Sequence, residues 1–204
     1  RLILPQQLTL RELLDHNCTV ICCQPSELKS TLNGLTTLPK MIITDSQAFG
    51  EVAKDTPKNV MLTSFSILFA RYKGDLQTLV SGASKLSKLK DGDTILISEG
   101  CTHHRQCNDI GTVKMPKFIT KFSKKSLQFE FTSGGEFPDN LSKYALIVHC
   151  GGCMLNEAEM KSRIATVRGA NLPIVNYGVA IAHMNGILKR SLEIFPDLLN
   201  KINL

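Results

Sequence analysis

No apolar run in this sequence approaches the ~20 residues that span a bilayer, and the N-terminus carries no basic, apolar, small-residue export pattern. Neither a membrane partner nor a secretory route is expected, and the expected location is cytoplasmic. There is no Gly-x-x-x-x-Gly-Lys-Ser/Thr phosphate loop, no Gly-x-Ser-x-Gly elbow, and no carboxylate pair that stands out from the surface charge. A self-contained catalytic machine is therefore not visible. Internal repeats and low-complexity tracts are absent as well.

Two further shortages narrow the class. The net charge is +6, but the lysines that carry much of it (Lys85, Lys88 and Lys90, then Lys114, Lys117, Lys121, Lys124 and Lys125) space as the wet faces of helices. No aromatic interleaving or RNA-binding signature accompanies them, so no nucleic acid is expected, and an acidic protein partner is a second reading. The seven cysteines are odd in number and unevenly placed, which does not make a secreted disulfide framework. In a reducing compartment, clustered Cys and His point to metal or redox chemistry.

With 204 residues, of which 43% are hydrophobic, the chain can hold two modest cores. Thr9 and Glu12 have capping-box spacing for a first helix. Short apolar runs at 19–23, 41–44 and 59–62 read as strands, alternating with helical patterns that begin at Pro25, Asp45 and Phe65. Asp75 caps a longer helix whose buried stripe is Leu76, Leu79, Val80, Ala83 and Leu86. After the charged turn Lys90–Asp93 the pattern restarts with strands at 94–98, 127–131, 144–148 and 173–175. Asn156 and Glu159 cap another helix before the C-terminal helices. The expected fold class is α/β: two consecutive small α/β domains, residues 1–90 and 93–204, each a mainly parallel sheet flanked by helices.

The chemistry concentrates in two groups. Cys101-Thr-His103-His104 follows the strand at 94–98, and His149-Cys150-Gly151-Gly152-Cys153 lies between the strand at 144–148 and the helix opened by Asn156. Ligands gather outside the carboxyl ends of strands in open α/β sheets, so these thiols converge if the two strands are neighbours. At a strand-to-helix corner the free helix N–H groups favour anions and lower thiol pKa values. Three soft thiolates with flanking imidazoles suit an iron–sulfur cluster or zinc, not calcium or magnesium. The candidate ligands are Cys101, Cys150 and Cys153, with His103, His149, water or an exchangeable outside ligand at a fourth position. Gly151 and Gly152 let backbone N–H groups approach sulfur.

Two alternatives stay open on the residues alone: a thioredoxin-like redox pair at Cys150 and Cys153, and a structural zinc site of Cys3His type. Other positions have blander readings. Cys22 and Cys23 act as small hydrophobes on opposite sides of a strand. Cys18 and His16 carry no partner spacing, Cys107 reads first as an incidental loop thiol and second as a spare ligand, and His104 is a second-choice ligand. His183, beside Ile181 and Met184, reads as packed or surface-exposed before it reads as a ligand. Glu136 and Glu157 are possible oxygen ligands, Glu157 reading first as a helix N-terminal charge.

Cys101-x-His103, a gap of 45 residues, then His149-Cys150-x-x-Cys153 resembles the cluster-binding signature of HydF, the hydrogenase maturation GTPase and scaffold family. The surrounding runs match too: Asn108–Pro116, Gly152-Cys-Met154 and Pro173–Val179. The resemblance implies a homodimeric chain with a dimerisation domain at 1–90 and an iron–sulfur domain at 93–204. It implies a 4Fe–4S cluster on Cys101, Cys150 and Cys153, with His103 and His149 beside an exchangeable fourth position. It also implies a transient diiron subcluster precursor, built by radical-SAM maturases and delivered to the apo form of [FeFe]-hydrogenase. The GTP-binding domain of the full-length family is missing from this sequence, so no GTP site and no turnover are expected of it.

Overall fold

The computed structural model of the chain describes residues 2–100 and 109–201. Helix α1 (Leu4–Asp15) comes first, with Pro5 in its opening turn, where a missing N–H breaks no helical bond. It begins earlier than the capping box predicts, so Thr9 lies inside it. Asn17 ends it in the left-handed region (φ 57°), with the Cys18 N–H donating to the Leu13 carbonyl.

Helix α2 (Leu28–Asn33), strand β1 (Met41–Thr44), helix α3 (Phe49–Asp55), strand β2 (Met61–Ser64) and helix α4 (Phe65–Lys73) build the first unit. β1 and β2 are parallel, in register from Met41 with Met61 to Thr44 with Ser64. Ser64 also caps α4, its Oγ accepting from the Ile67 N–H. The stretch 19–23, predicted as a strand, is not one. Residues 18–24 carry no secondary structure, and all but Val20 are exposed. Cys22 and Cys23 therefore face solvent rather than a core.

The second unit runs α5 (Leu76–Ala83), β3 (Thr94–Glu99), α6 (Met115–Ser123), β4 (Gln128–Ser133), β5 (Tyr144–His149), α7 (Glu157–Gly169), β6 (Ile174–Asn176), α8 (Tyr177–Met184), α9 (Leu188–Ser191) and α10 (Pro196–Leu199). Asp75 caps α5 and Asn156 caps α7, both as predicted. Its four strands are all parallel in the order β4-β3-β5-β6. Ile95–Ile97 and Leu146–Val148 are buried on both faces, which explains why they are unbroken apolar runs. From β3 the chain goes to β4 on one side, then crosses to β5 on the other. The topological switch point thus lies between β3 and β5.

Both units are α/β, and their cores join. α5, which precedes the turn at Lys90–Asp93, packs on β6. Gly82 makes this approach possible: a Cβ there would stand 2.0 Å from the Ile174 carbonyl oxygen. In the other direction α9 returns to β2. Its Arg190 donates to the carbonyls of Ala53 (3.3 Å), Thr56 (3.0 Å) and Pro57 (2.7 Å). Among the described residues no helix is long and apolar enough to cross a membrane.

In an open helix interior, glycine to alanine stabilises by about 1 kcal/mol. Here overpacking reverses the sign, and Gly82→Ala should lose about 1–3 kcal/mol, read as a lower urea midpoint.

Candidate metal centre

β3 and β5 are adjacent and parallel, with Ser98 opposite His149. The chain thus leaves β3 and β5 at neighbouring strand ends at the switch point. The Cys150 N–H donates to the Ser98 carbonyl (2.9 Å), extending the ladder by one residue. Cys150 itself is partly buried and packs against the core.

Two backbone donors meet its sulfur: the Gly100 N–H at 3.0 Å and the Gly152 N–H at 3.4 Å. Each donor depends on a glycine. A Cβ on Gly100 would lie 2.5 Å from Leu155 Cγ. Gly152 has φ +63°, and a Cβ there would meet Met160 Sδ at 2.7 Å. Gly151 has more room, since a Cβ there would stand 3.6 Å from Ser66 Oγ, and no described hydrogen bond joins its N–H to sulfur. Gly100, which no sequence motif singles out, joins Gly152 as a donor to the Cys150 sulfur.

Cys153 is held from the first unit. Lys73, the last residue of α4, donates through Nζ to the carbonyls of Cys153 (3.0 Å) and Leu155 (2.9 Å). Its ammonium also sits 5.5 Å from the Phe69 ring centre.

Burial raises the pKa of both thiols, and the N–H groups of Gly100 and Gly152 only partly offset this at Cys150. The strand-to-helix corner in the sequence predicts the opposite, thiols lowered by a helix N-terminus. The reason for the difference is positional: α7 starts at Glu157, and the Asn156 side chain already takes the Glu159 N–H.

His149 is fully buried at the end of β5. Its Nδ1 donates to the Cys150 carbonyl (2.8 Å), because a carbonyl can only accept. Nε2 is then the acceptor facing Arg163 Nη1 at 3.3 Å. Burial lowers its pKa to about 4, with the Arg163 charge acting in the same direction, so the ring is neutral. Ligation through Nε2 would require this nitrogen to leave Arg163.

Arg163 has a side chain only 2% exposed. Its charge is met by Glu159 Oε1 (2.7 Å) and the Gly134 carbonyl (2.7 Å), and it stacks over Phe137. A second unforeseen polar group lies at the end of β3. The buried Glu99 carboxylate accepts from Tyr177 Oη at 3.4 Å, and Gly111 is held against both residues. Glu99 raises the Cys150 pKa, and burial followed by Glu99 raises that of Tyr177. The signal available in the sequence was a carboxylate closing an apolar strand two residues before Cys101.

Cys101, His103, His104 and Cys107 lie outside the described residues. Among the described residues no three His, Cys, Asp or Glu side chains converge as a metal site. Cys18 is exposed. His183 contacts Ser87 and the Phe122 ring, in line with a packing role. Glu157 pairs with Lys161 on the helix surface.

A parallel sheet with a Cys-x-x-Cys loop seated on its switch point defines an α/β protein built around a thiol site. The chain belongs to the hydrogen maturase F family. Residues 1–74 match the Hydrogen maturase F dimerization domain and residues 77–194 the Hydrogen maturase F tetramerization domain. These two domains tie the protein to hydrogenase maturation and to assembly with further copies. No curated protein matches the chain. The family matches meet ahead of the turn at Lys90–Asp93, so α5 falls within the second match.

Each hydrogen bond to a charged group such as Lys73 contributes about 1.5–3 kcal/mol. Lys73→Met should therefore free the Cys153 loop and raise the alkylation rate of Cys153 about tenfold or more. Alkylation of exposed Cys18, followed in the same digest, should not change.

Proposed function

We propose that this chain is an iron–sulfur scaffold and carrier. In this reading Cys101, Cys150 and Cys153 hold a 4Fe–4S cluster whose fourth iron keeps an exchangeable position. The assembly receives a diiron subcluster precursor from radical-SAM maturases and delivers it to apo [FeFe]-hydrogenase. Residues 93–204 bind the cluster, and the dimerization match at 1–74 and the tetramerization match at 77–194 join the copies. No turnover belongs to this stretch, and GTP binding is the task of a nucleotide domain elsewhere in the full-length family.

The observation that carries the reading is the pair of N–H donors on the Cys150 sulfur. Peptide N–H groups aimed at sulfur stabilise thiolate and cluster charge and tune the potential. Burial outweighs these donors and holds the uncoordinated Cys150 thiol at a raised pKa, so a soft cation supplies the compensation that burial demands. Cys150 and Cys153 fit such a group in type and shielding. When bound, the cluster supplies an iron coordination position that protein sulfur does not fill. His103 and His149 are the imidazoles proposed beside it, and the Nδ1 bond of His149 to the Cys150 carbonyl also steadies the loop.

The dithiol reading is weaker, because both thiols are raised by burial and Asn156 already takes the Glu159 N–H of the α7 N-terminus. Zinc on the same ligands is the rival that measurement must separate. Iron and sulfide are to be assayed after anaerobic reconstitution, with the charge-transfer absorption recorded. Cys101→Ala, Cys150→Ala and Cys153→Ala should each abolish cluster binding. His103→Ala and His149→Ala should keep the cluster and change the electron paramagnetic resonance of the fourth iron. Protein that takes up zinc and shows no charge-transfer band, or metal-free protein that reduces disulfides, would sink the proposal.

A further inference from the structure

The stretch from Ile110 to Phe129 carries five lysines and no aspartate or glutamate. Lys117, Phe118 and Lys121 recur at the spacing of one face of α6, with Lys114 and Lys124 at its two ends. Met115 and Ile119, on the opposite face, are fully buried. The short 3-10 helix Ser84–Lys88 packs against α6 and adds Lys85 and Lys88. Lys125 pairs with Asp91 (3.2 Å), and Lys114 donates to Gln47 Oε1 (2.6 Å). Among the described residues Lys85, Lys88, Lys117, Lys121 and Lys124 have no ion pair.

Like charges three and four residues apart destabilise a helix, and surfaces ordinarily intersperse both signs. On α6 the repulsion is left unrelieved. Phe118 is 40% exposed between Lys117 and Lys121, an apolar anchor within a cationic rim. The face also has a fixed place relative to the thiol site. Gly111, just ahead of α6, is held against Glu99 at the end of β3. The lysine face therefore begins beside the strand ends and runs away from them.

We infer that this lysine face is a docking surface for a protein partner with an acidic face. A two-fold contact between copies would set lysine against lysine, so another copy is not the occupant. Nor does nucleic acid match it, since a strand of bases stacks on a platform of several rings and α6 exposes Phe118 by itself. An acidic protein is steered to the face and oriented on it before the apolar anchor engages. Docked along α6, it lies beside the strand ends at which the thiol site stands. The class of partner rests on the carrier reading, in which apo hydrogenase and the radical-SAM maturases are the proteins that approach this site.

The test measures binding of the whole chain, without reconstitution, to apo hydrogenase and to each radical-SAM maturase, by biolayer interferometry at about 50 and about 300 mM salt. At least one of the three should bind, and about tenfold or more weaker at the higher salt. Lys117→Glu with Lys121→Glu should weaken that binding about tenfold or more at the lower salt. Lys54→Glu with Lys58→Glu makes the same charge change at exposed positions of the first unit, and should leave binding within about twofold. Phe118→Ser alters no charge and should weaken binding at both salts. Equal loss in the two lysine pairs, binding insensitive to salt, or capture of polyuridylate RNA in place of the proteins overturns the docking face. Absence of binding to all three overturns it too, whether or not the chain takes up a cluster. A chain that binds through this face but takes up no cluster overturns the carrier reading alone.

Discussion

The pairing of Ser98 with His149, at the last rungs of two neighbouring parallel strands, is the constraint on which the site depends. It sets Gly100 beside Cys150 and makes the residue before Cys101 a hydrogen-bond partner of that sulfur. Parallel strands are joined by long crossovers, so 50 residues separate two groups that touch. The all-parallel order β4-β3-β5-β6 supplies this adjacency, and the outward progression of the chain in both directions from β3 leaves the strand ends open above it.

Around that pairing the protein arranges its glycines and charges tightly. Gly100 and Gly152 are needed twice over, for the N–H groups they aim and for the space their missing Cβ atoms leave to Leu155 and Met160. Arg163 sits behind His149 with its charge met by Glu159 and a carbonyl, so the imidazole is locked as one neutral tautomer. Lys73 reaches in from α4 and fixes the far end of the loop. The thiol loop is thus a joint construction of both units, and the family's assembly domains and its cysteine motif share structural members.

Much of this was legible because it is local. A strand buried on both faces needs an unbroken apolar run, which Ile95–Ile97 and Leu146–Val148 are, and Asp75 and Asn156 announce their helices through side chains that cap them. The Cys-x-x-Cys group and its strand-end position could be read in the same way. What escaped depends on tertiary neighbours. Arg163 looks like one more polar residue on a helix, and only the fold shows it buried against β5. Glu99 reads as the end of a strand, and only Tyr177 and Gly111 reveal its enclosure. The run at 19–23 has strand propensity without a strand, since propensity measures the fit to a neighbour and a single chain provides none.

The grip of Arg190 on Ala53, Thr56 and Pro57 bears on how the molecule comes into being. The Ala53 carbonyl lies in the last turn of α3 and those of Thr56 and Pro57 in the loop to β2, and the guanidinium that satisfies them is synthesised more than a hundred residues later. The N-terminal half therefore waits on the ribosome for its final brace. During that interval the exposed run at 19–23 and the unbraced sheet are the surfaces most open to premature pairing between nascent chains.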